Sequence, residues 1–551
     1  MFSRENSPPQ KPLVANWDTL FKVFLQPEDV ESKKTLIKYM EQILFGLHDF
    51  LKKNVGITEE ISLKEIAKEY TNTHIHKTPQ KKLTEVITDL IQNIAPHGVN
   101  IASPYFIGHM TSALPFFMVH LKTIAAALNQ NVVKIETSKV FSILEKQVLA
   151  KIHRLIFNFD EMFYQTHVQH ADTTLGCFTE NGTIANLTAF WAARNRLFPP
   201  RTGFNGIGAE GIHAAYRAYD VDRCVILVSR RGHYSIKKAA GVLGIGNDNV
   251  LDLDVDSNQR IDLKKLKNTL EAIKLLEPRT RILAVVGIAG ATETGTVDPL
   301  ARLAEICARH QIYFHVDAAW GGPTLMSEKY SHLLDGIQHA DSVTIDGHKQ
   351  FYMPMSCGMV YFKDPRALES IAYHANYIVR RGSVDLGIRT LSGSREANSM
   401  ILSSALDIMG TEGYALLIDH GIETARWFAK EIERRKNFEL ISRPELNILL
   451  YRLFPEHLKE AFDRGDSEEK KQIHHQLNRI NQRLQRLQRE AGNSFVSRTT
   501  LRKGPTPKDE TDEMVVLRAV IMNPMTSPAI LSKVLDEQKF IYHEKIAGQK
   551  Q

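Results

Sequence analysis

Five short, largely apolar runs in the middle of the chain constrain its architecture more than any other feature. They are Cys224-Val225-Ile226-Leu227-Val228, Ile282-Leu283-Ala284-Val285-Val286, Ile312-Tyr313-Phe314, Ser342-Val343-Thr344-Ile345 and Met359-Val360-Tyr361-Phe362. Each has the length of a strand and lacks the polar alternation of a half-exposed one, so both faces of their sheet must be covered. Helical patterns lie between them, such as Pro299 to His310, where Pro299 suits a first helical turn. The alternation predicts an α/β fold, a mostly parallel sheet flanked by helices.

The flanks read differently. Residues 1–95 are helical in pattern: Leu36, Ile37, Met40, Ile43, Leu44 and Leu47 share a helical spacing, and Leu83 to Ile94 does the same. A loop with Pro96 and Gly98 leads into the strand-rich segment, 96–375. From 376 to 551, long helical patterns and a late strand, Met514 to Ile521, predict a smaller α/β domain, interrupted by a charged, Gln-rich helical insertion at about 456–491.

Composition narrows the partners. The 551 residues carry a net charge of +6 with Lys and Arg spread widely. The local basic cluster, Arg479, Arg483, Arg486 and Arg489, reads as a solvated helix face, so no nucleic-acid partner is expected. Cys177, Cys224, Cys307 and Cys357 stand far apart without a CxxC pair, which argues against a disulfide framework or a metal site and suits a cytoplasmic protein. The start, Met1 to Pro9, has no apolar signal core, and no uncharged apolar run reaches the ~18 residues of a membrane span. No membrane partner is expected.

Two residues follow strand ends. Asp317, in His315-Val316-Asp317-Ala318-Ala319-Trp320-Gly321-Gly322, comes just after Ile312 to Phe314, and His348-Lys349 just after Ser342 to Ile345. Such positions in an open parallel sheet face the crevice where ligands bind. An amine and a carboxylate there are what pyridoxal phosphate requires: the lysine forms a Schiff base and the aspartate pairs with the ring nitrogen. A lone Asp–Lys pair fits a sheet-edge salt bridge better. Three further loops reverse that preference. Gly182 and Thr183, in a Gly/Asn/Thr turn opening a helix to about Arg194, suit a phosphate at a helix start. His233, in Arg231-Gly232-His233-Tyr234-Ser235, brings an imidazole to the same edge, and Thr292, in Gly290 to Gly295, a hydroxyl. Each alone also fits an ordinary cap or turn; their joint occurrence does not.

These segments, in this order, resemble the group II pyridoxal-phosphate-dependent amino-acid decarboxylases, the family of glutamate, aromatic-amino-acid and cysteine-sulfinate decarboxylases. The resemblance runs from about Ser103 to Arg395 and rests on Ser103 to Ser112, His233 to Ala239, Val316 to Gly322 and His348-Lys349. Within the family it is greatest to the bacterial aspartate 1-decarboxylase type, through Gly108 to Pro115, Asp346 to Gln350, Met353 to Gly358 and the C-terminal insertion.

The resemblance implies the type I PLP-dependent transferase fold with a seven-stranded-type sheet. It also implies a homodimer in which 1–95 serves dimerisation, 96–375 binds the cofactor and 376–551 forms the small domain. It implies Lys349, His233 and Asp317 as catalytic residues: Lys349 bonds the cofactor, Asp317 pairs with its ring nitrogen, and His233 stacks on one face with Ala319 against the other. Gly182 and Thr183 would hold the phosphate, with His348 nearby and Thr292 close to the ring. Arg395 would bind the substrate carboxylate, with His109 the next candidate. The expected reaction is α-decarboxylation of aspartate to β-alanine. Glutamate or cysteine sulfinate is the alternative substrate, and another reaction on the same fold, such as transamination, a more distant one. The sequence departs from the family at Asp346, where relatives commonly carry Asn, and at Ser103, where they carry His. The catalytic-loop segment, about Tyr377 to Thr390, offers Tyr377 as its nearest tyrosine.

Overall fold

The computed structural model describes residues 17, 30–52, 55, 63–374, 384–502 and 513–547. Tyr377 lies outside them. The central sheet has seven strands: β1 (Gly176–Thr179), β2 (Arg223–Ser229), β3 (Val250–Leu253), β4 (Thr280–Ile288), β5 (Tyr313–Asp317), β6 (Ser342–Asp346) and β7 (Gly358–Phe362), in the order β1-β7-β6-β5-β4-β2-β3. Only β7 runs against the others. The five apolar runs are strands as expected; β1 and β3, at the two sheet edges, are short and were not legible as such.

The apolar runs are continuous because each face of the sheet meets its own core. In β2, Val225 and Leu227 enter the larger core, with Leu266 and Leu303, while Cys224, Ile226 and Val228 enter a second one with Phe190 and Ile236. Successive side chains point to opposite faces of a strand, so burial on both faces removes any polar alternation. The helix Leu300–His310 starts one residue later than expected, with Pro299 as its N-cap.

A second sheet, order β10-β11-β9-β8, is antiparallel throughout: β8 (Phe438–Ser442), β9 (Ile448–Leu453), β10 (Ser497–Arg502) and β11 (Glu513–Val520). The segment 456–491 forms two helices, Glu456–Arg464 and Ser467–Ala491. The longer one buries Leu477, Ile480 and Leu484 against Leu449, Tyr451 and Leu517 of this sheet. Its fully buried Asn481 accepts from Leu453 N–H at 2.9 Å and donates to the Leu453 carbonyl at 2.9 Å, so it satisfies backbone that β9 leaves open. The helix Asn398–Arg434 is long and apolar enough in composition to cross a membrane. It is kinked at Gly410, and it buries Ile401 and Leu402 in the large core and Ala425 and Phe428 in the core of the second sheet.

The stretch before the central sheet is also tied to the second one. Ile107 N–H donates to Phe495 O and Val520 N–H to Ile107 O, at 3.0 and 2.7 Å. A β-carbon on Gly108 would stand 2.5 Å from Ser497 N, so only glycine permits this approach. The seam carries the next residue, His109, to the edge of the central sheet.

Candidate active site

A cavity of about 330 Å³ opens at the C-terminal ends of the parallel strands. His109, Gly182, Thr183, His233, Thr292, Asp317, Ala319, His348 and Lys349 all line it. A wider hollow of about 800 Å³ lies at the opposite sheet edge, around Leu283, Tyr313 and Asp341, and holds none of these residues. Chemistry therefore gathers where parallel strands end, on the side their connecting loops share.

Lys349 follows β6 in a tight turn, and its Nζ stands 3.0 Å from Asp346 Oδ2. Asp346 is buried, and its other oxygen, Oδ1, has no partner. The carboxylate lies under the start of the helix Gly182–Leu197: a β-carbon on Gly182 would come within 2.9 Å of it. Asn181 caps this helix, accepting from Thr183 N–H and Ile184 N–H at 3.1 and 3.2 Å. This cap takes two of the backbone donors at the helix start, because an Asn side chain reaches those positions first. His348 Nδ1 meets the Cys357 carbonyl at 2.6 Å, and its Nε2 stands 3.8 Å from Asp346.

Asp317 is buried and ends β5. Its Oδ1 accepts from Ala319 N–H at 3.2 Å and its Oδ2 from Asn186 Nδ2 at 3.0 Å. His233 Nδ1 meets Ser235 Oγ at 2.8 Å. Burial holds the His233 imidazole below its ordinary pKa, against the opposing charge of Asp317. His109 is also held low, by burial first and then by the cations Arg518 and Lys349.

Arg395 is not in the cavity. Both of its terminal nitrogens bond the Glu145 carboxylate, at 2.8 and 2.5 Å, with Arg395 and Glu145 each buried. The substrate role given to it from the resemblance is corrected: its two-pronged face is already matched to an internal acid, and a substrate carboxylate would have to displace that acid.

A different arginine stands beside the cavity. Arg518, towards the end of β11, is buried, and its Nη1 donates to Gly108 O at 3.2 Å and Ser497 Oγ at 3.3 Å. Its Nε and Nη2 have no partner. Burial pushes its pKa down to about 10, with Glu293 opposing. The sequence held one signal for it, a cation inside the apolar run Met514 to Ile521. Asn186, Ser235 and Arg231 also line the cavity. Of these, Arg231 is engaged by Glu293 at 2.6 Å and by Gln259.

The donor set suits pyridoxal phosphate. A buried carboxylate that accepts from two N–H donors can face a protonated ring nitrogen. An amine stands near by, an imidazole is available to stack, and Gly182 leaves space at a helix start.

A model of the pyridoxal-dependent decarboxylase conserved domain matches residues 66–454. An aspartate 1-decarboxylase of Aliivibrio fischeri is 46% identical over 528 residues, covering 96% of this chain and 95% of that protein. An acidic amino acid decarboxylase of Homo sapiens is 30% identical over 390 residues, 69% of each chain. Among solved structures, the glutamate decarboxylase domain of a diaminobutyrate-pyruvate transaminase and L-2,4-diaminobutyrate decarboxylase from Vibrio parahaemolyticus superposes with a TM-score of 0.78 at 20% identity, covering 96% of this chain and all of that one. Mouse CSAD superposes with a TM-score of 0.77 at 23% identity, covering 92% and 99%. With its strand-end lysine and aspartate in one cavity and more than half its length matched, the chain belongs to the pyridoxal-dependent decarboxylases, carboxy-lyases that act on amino acids with pyridoxal phosphate.

Proposed function

We propose that this enzyme removes the α-carboxyl group of aspartate, giving β-alanine and CO₂. The observation that carries an acidic substrate is Arg518, a buried guanidinium with two unpartnered nitrogens beside His109 at the cavity. A buried cation with unpartnered donors is costly, and a substrate carboxylate would relieve that cost through a charge-assisted pair. The names of the relatives from Aliivibrio fischeri and Homo sapiens support the same reading. Glutamate differs by one methylene, which such a pocket discriminates by only about 1–3 kcal/mol.

In this reading, pyridoxal phosphate supplies the sink for the electron pair released with CO₂. Lys349 Nζ, 3.0 Å from Asp346 Oδ2, is the amine that would hold the cofactor. Asp317 would face the ring nitrogen and favour its protonated form, because a carboxylate at close range stabilises a cation. His233 and Ala319 would hold the ring from its two faces. Gly182, the Thr183 hydroxyl and His348 would hold the phosphate, with Thr292 close to the ring. His109, neutral at physiological pH, adds a polar contact to the substrate beside Arg518.

The working form is a homodimer of cytoplasmic location. Support for the dimer is an apolar surface on the N-terminal half: Phe45 is 75% and Phe116 78% exposed, with Leu36, Ile37, Leu44 and Ile124 also exposed. Such a surface marks an association site. Light scattering at micromolar concentration should give twice the chain mass; a fully active monomer would refute the dimer. For the substrate, CO₂ release is measured on aspartate, glutamate, cysteine sulfinate and an aromatic amino acid. Aspartate should give the highest kcat/KM, and preference for the aromatic substrate would overturn the reading.

A further inference from the structure

Asn186 lies in the helix Gly182–Leu197, is 1% exposed, and touches two elements of the site at once. Its Nδ2 is 3.0 Å from Asp317 Oδ2 and 3.0 Å from Ser235 Oγ, and its Oδ1 is 3.1 Å from His315 Nε2. The Asp317 carboxylate sets the directions in this network. Its Oδ1 accepts from Ala319 N–H and its Oδ2 from the Asn186 amide nitrogen, so the amide oxygen faces His315. His315 therefore carries its proton on Nε2. Its Nδ1, 2.8 Å from Ser342 Oγ, accepts from that hydroxyl.

On the other branch, the second amide hydrogen of Asn186 goes to Ser235 Oγ. Ser235 is fully buried, so its own hydroxyl hydrogen must go to the remaining neighbour, His233 Nδ1, at 2.8 Å. The Ser235 backbone N–H points to the same atom at 3.3 Å. A backbone N–H can only donate, so a hydrogen on Nδ1 would set two donors against each other. Both contacts require a lone pair there.

We propose that Asn186 is a positioning residue which, through Ser235, locks His233 in the tautomer bearing its proton on Nε2, while the same amide nitrogen holds Asp317. This rests on the reading that His233 and Asp317 flank the cofactor. The neutral His233 ring then offers the site a donor at Nε2 and no base. It can orient an anionic group of substrate or cofactor but cannot take a proton there. One amide thus links the carboxylate that would face the ring nitrogen to the imidazole that would stack on the ring.

The test uses cofactor-loaded enzyme with ¹⁵N-labelled histidine, the His233 signals being identified by their loss in His233→Gln. Wild type should show the Nε2-protonated pattern at neutral pH. Ser235→Ala removes one of the two donors to Nδ1. It should shift that pattern toward the other tautomer, lower kcat on the order of tenfold, and move KM by less than about twofold. Cofactor affinity should not change. Asn186→Leu should do the same and also weaken cofactor binding, because Asp317 loses a donor. The double variant should have the kcat of Asn186→Leu alone, as expected when one residue acts through the other. An Nδ1-protonated His233 in wild type overturns the proposal. So does Ser235→Ala with an unchanged histidine pattern and wild-type kcat. Wild-type CO₂ release is measured alongside, so a wrong tautomer and a wrong reaction give different results.

Discussion

Arg395 and Glu145 close a two-pronged ion pair in the protein interior, Nη1 to Oε2 at 2.8 Å and Nη2 to Oε1 at 2.5 Å, with Cys177 also near. Glu145 comes from the helix Val140–Phe157, while Arg395 sits just before Asn398–Arg434, so the pair ties two helices that flank the large core. Lysine keeps the charge and loses the fork. Arg395→Lys should therefore cost about 1–3 kcal/mol of stability in urea unfolding while leaving KM for aspartate within twofold. A large rise in KM at unchanged stability would return Arg395 to the substrate.

Arg518→Lys should do the reverse. A substrate carboxylate would lose one charge-assisted contact, so KM for aspartate should rise about tenfold or more with cofactor content unchanged. An unaltered KM for aspartate and glutamate would leave the acidic preference without its cation.

Lys349→Ala removes the amine at the end of the β6 turn. CO₂ release should be lost, with the circular dichroism spectrum and elution volume of the wild type retained. Wild-type turnover in this variant would show that another amine does the work.

Asp346→Asn bears on the departure from the family. The Asp346 carboxylate lies against Gly182, where the cofactor phosphate is expected, and like charges at close range repel. The neutral amide should slow loss of pyridoxal phosphate on dialysis several-fold. Faster loss would mean that the pairing of Asp346 with Lys349 matters more than the repulsion.

His153 and His315 set an acid limit on stability. Burial drives both to about 4, and both are neutral in the fold. In the unfolded chain they titrate near 6.5. Between these values the unfolded state binds more protons, so stability is full above about 6.5 and falls as pH drops toward 4, by roughly 3 kcal/mol for each histidine. His153→Gln keeps a donor for the Phe362 carbonyl, which His153 Nε2 meets at 3.0 Å. It should make the decline of the urea midpoint between pH 6.5 and 4.5 shallower by about one proton. An unchanged slope would show that His153 is charged in the fold.

Much of the fold and the cofactor edge was legible in the chain, because both depend on local pattern. A strand buried on two faces must be apolar throughout, so Cys224 to Val228 and Ile282 to Val286 announce themselves. A residue just past such a strand must face the crevice, so Asp317 and Lys349 could be placed before any contact was known. The edge strands β1 and β3 escaped because four residues are too few to show a period. The arginines were harder to read for a different reason. Arg395 has the sequence context of a substrate ligand, but its partner, Glu145, is 250 residues away. Arg518 looks like an odd cation in an apolar strand until Gly108 and Ser497 bring it to His109. The sequence by itself determined which residue types reach the sheet edge, because backbone periodicity and strand ends are local. Only the tertiary structure decided which charges are already neutralised inside and which remain open to a substrate, because Coulomb energy and desolvation depend on distance in space and not along the chain.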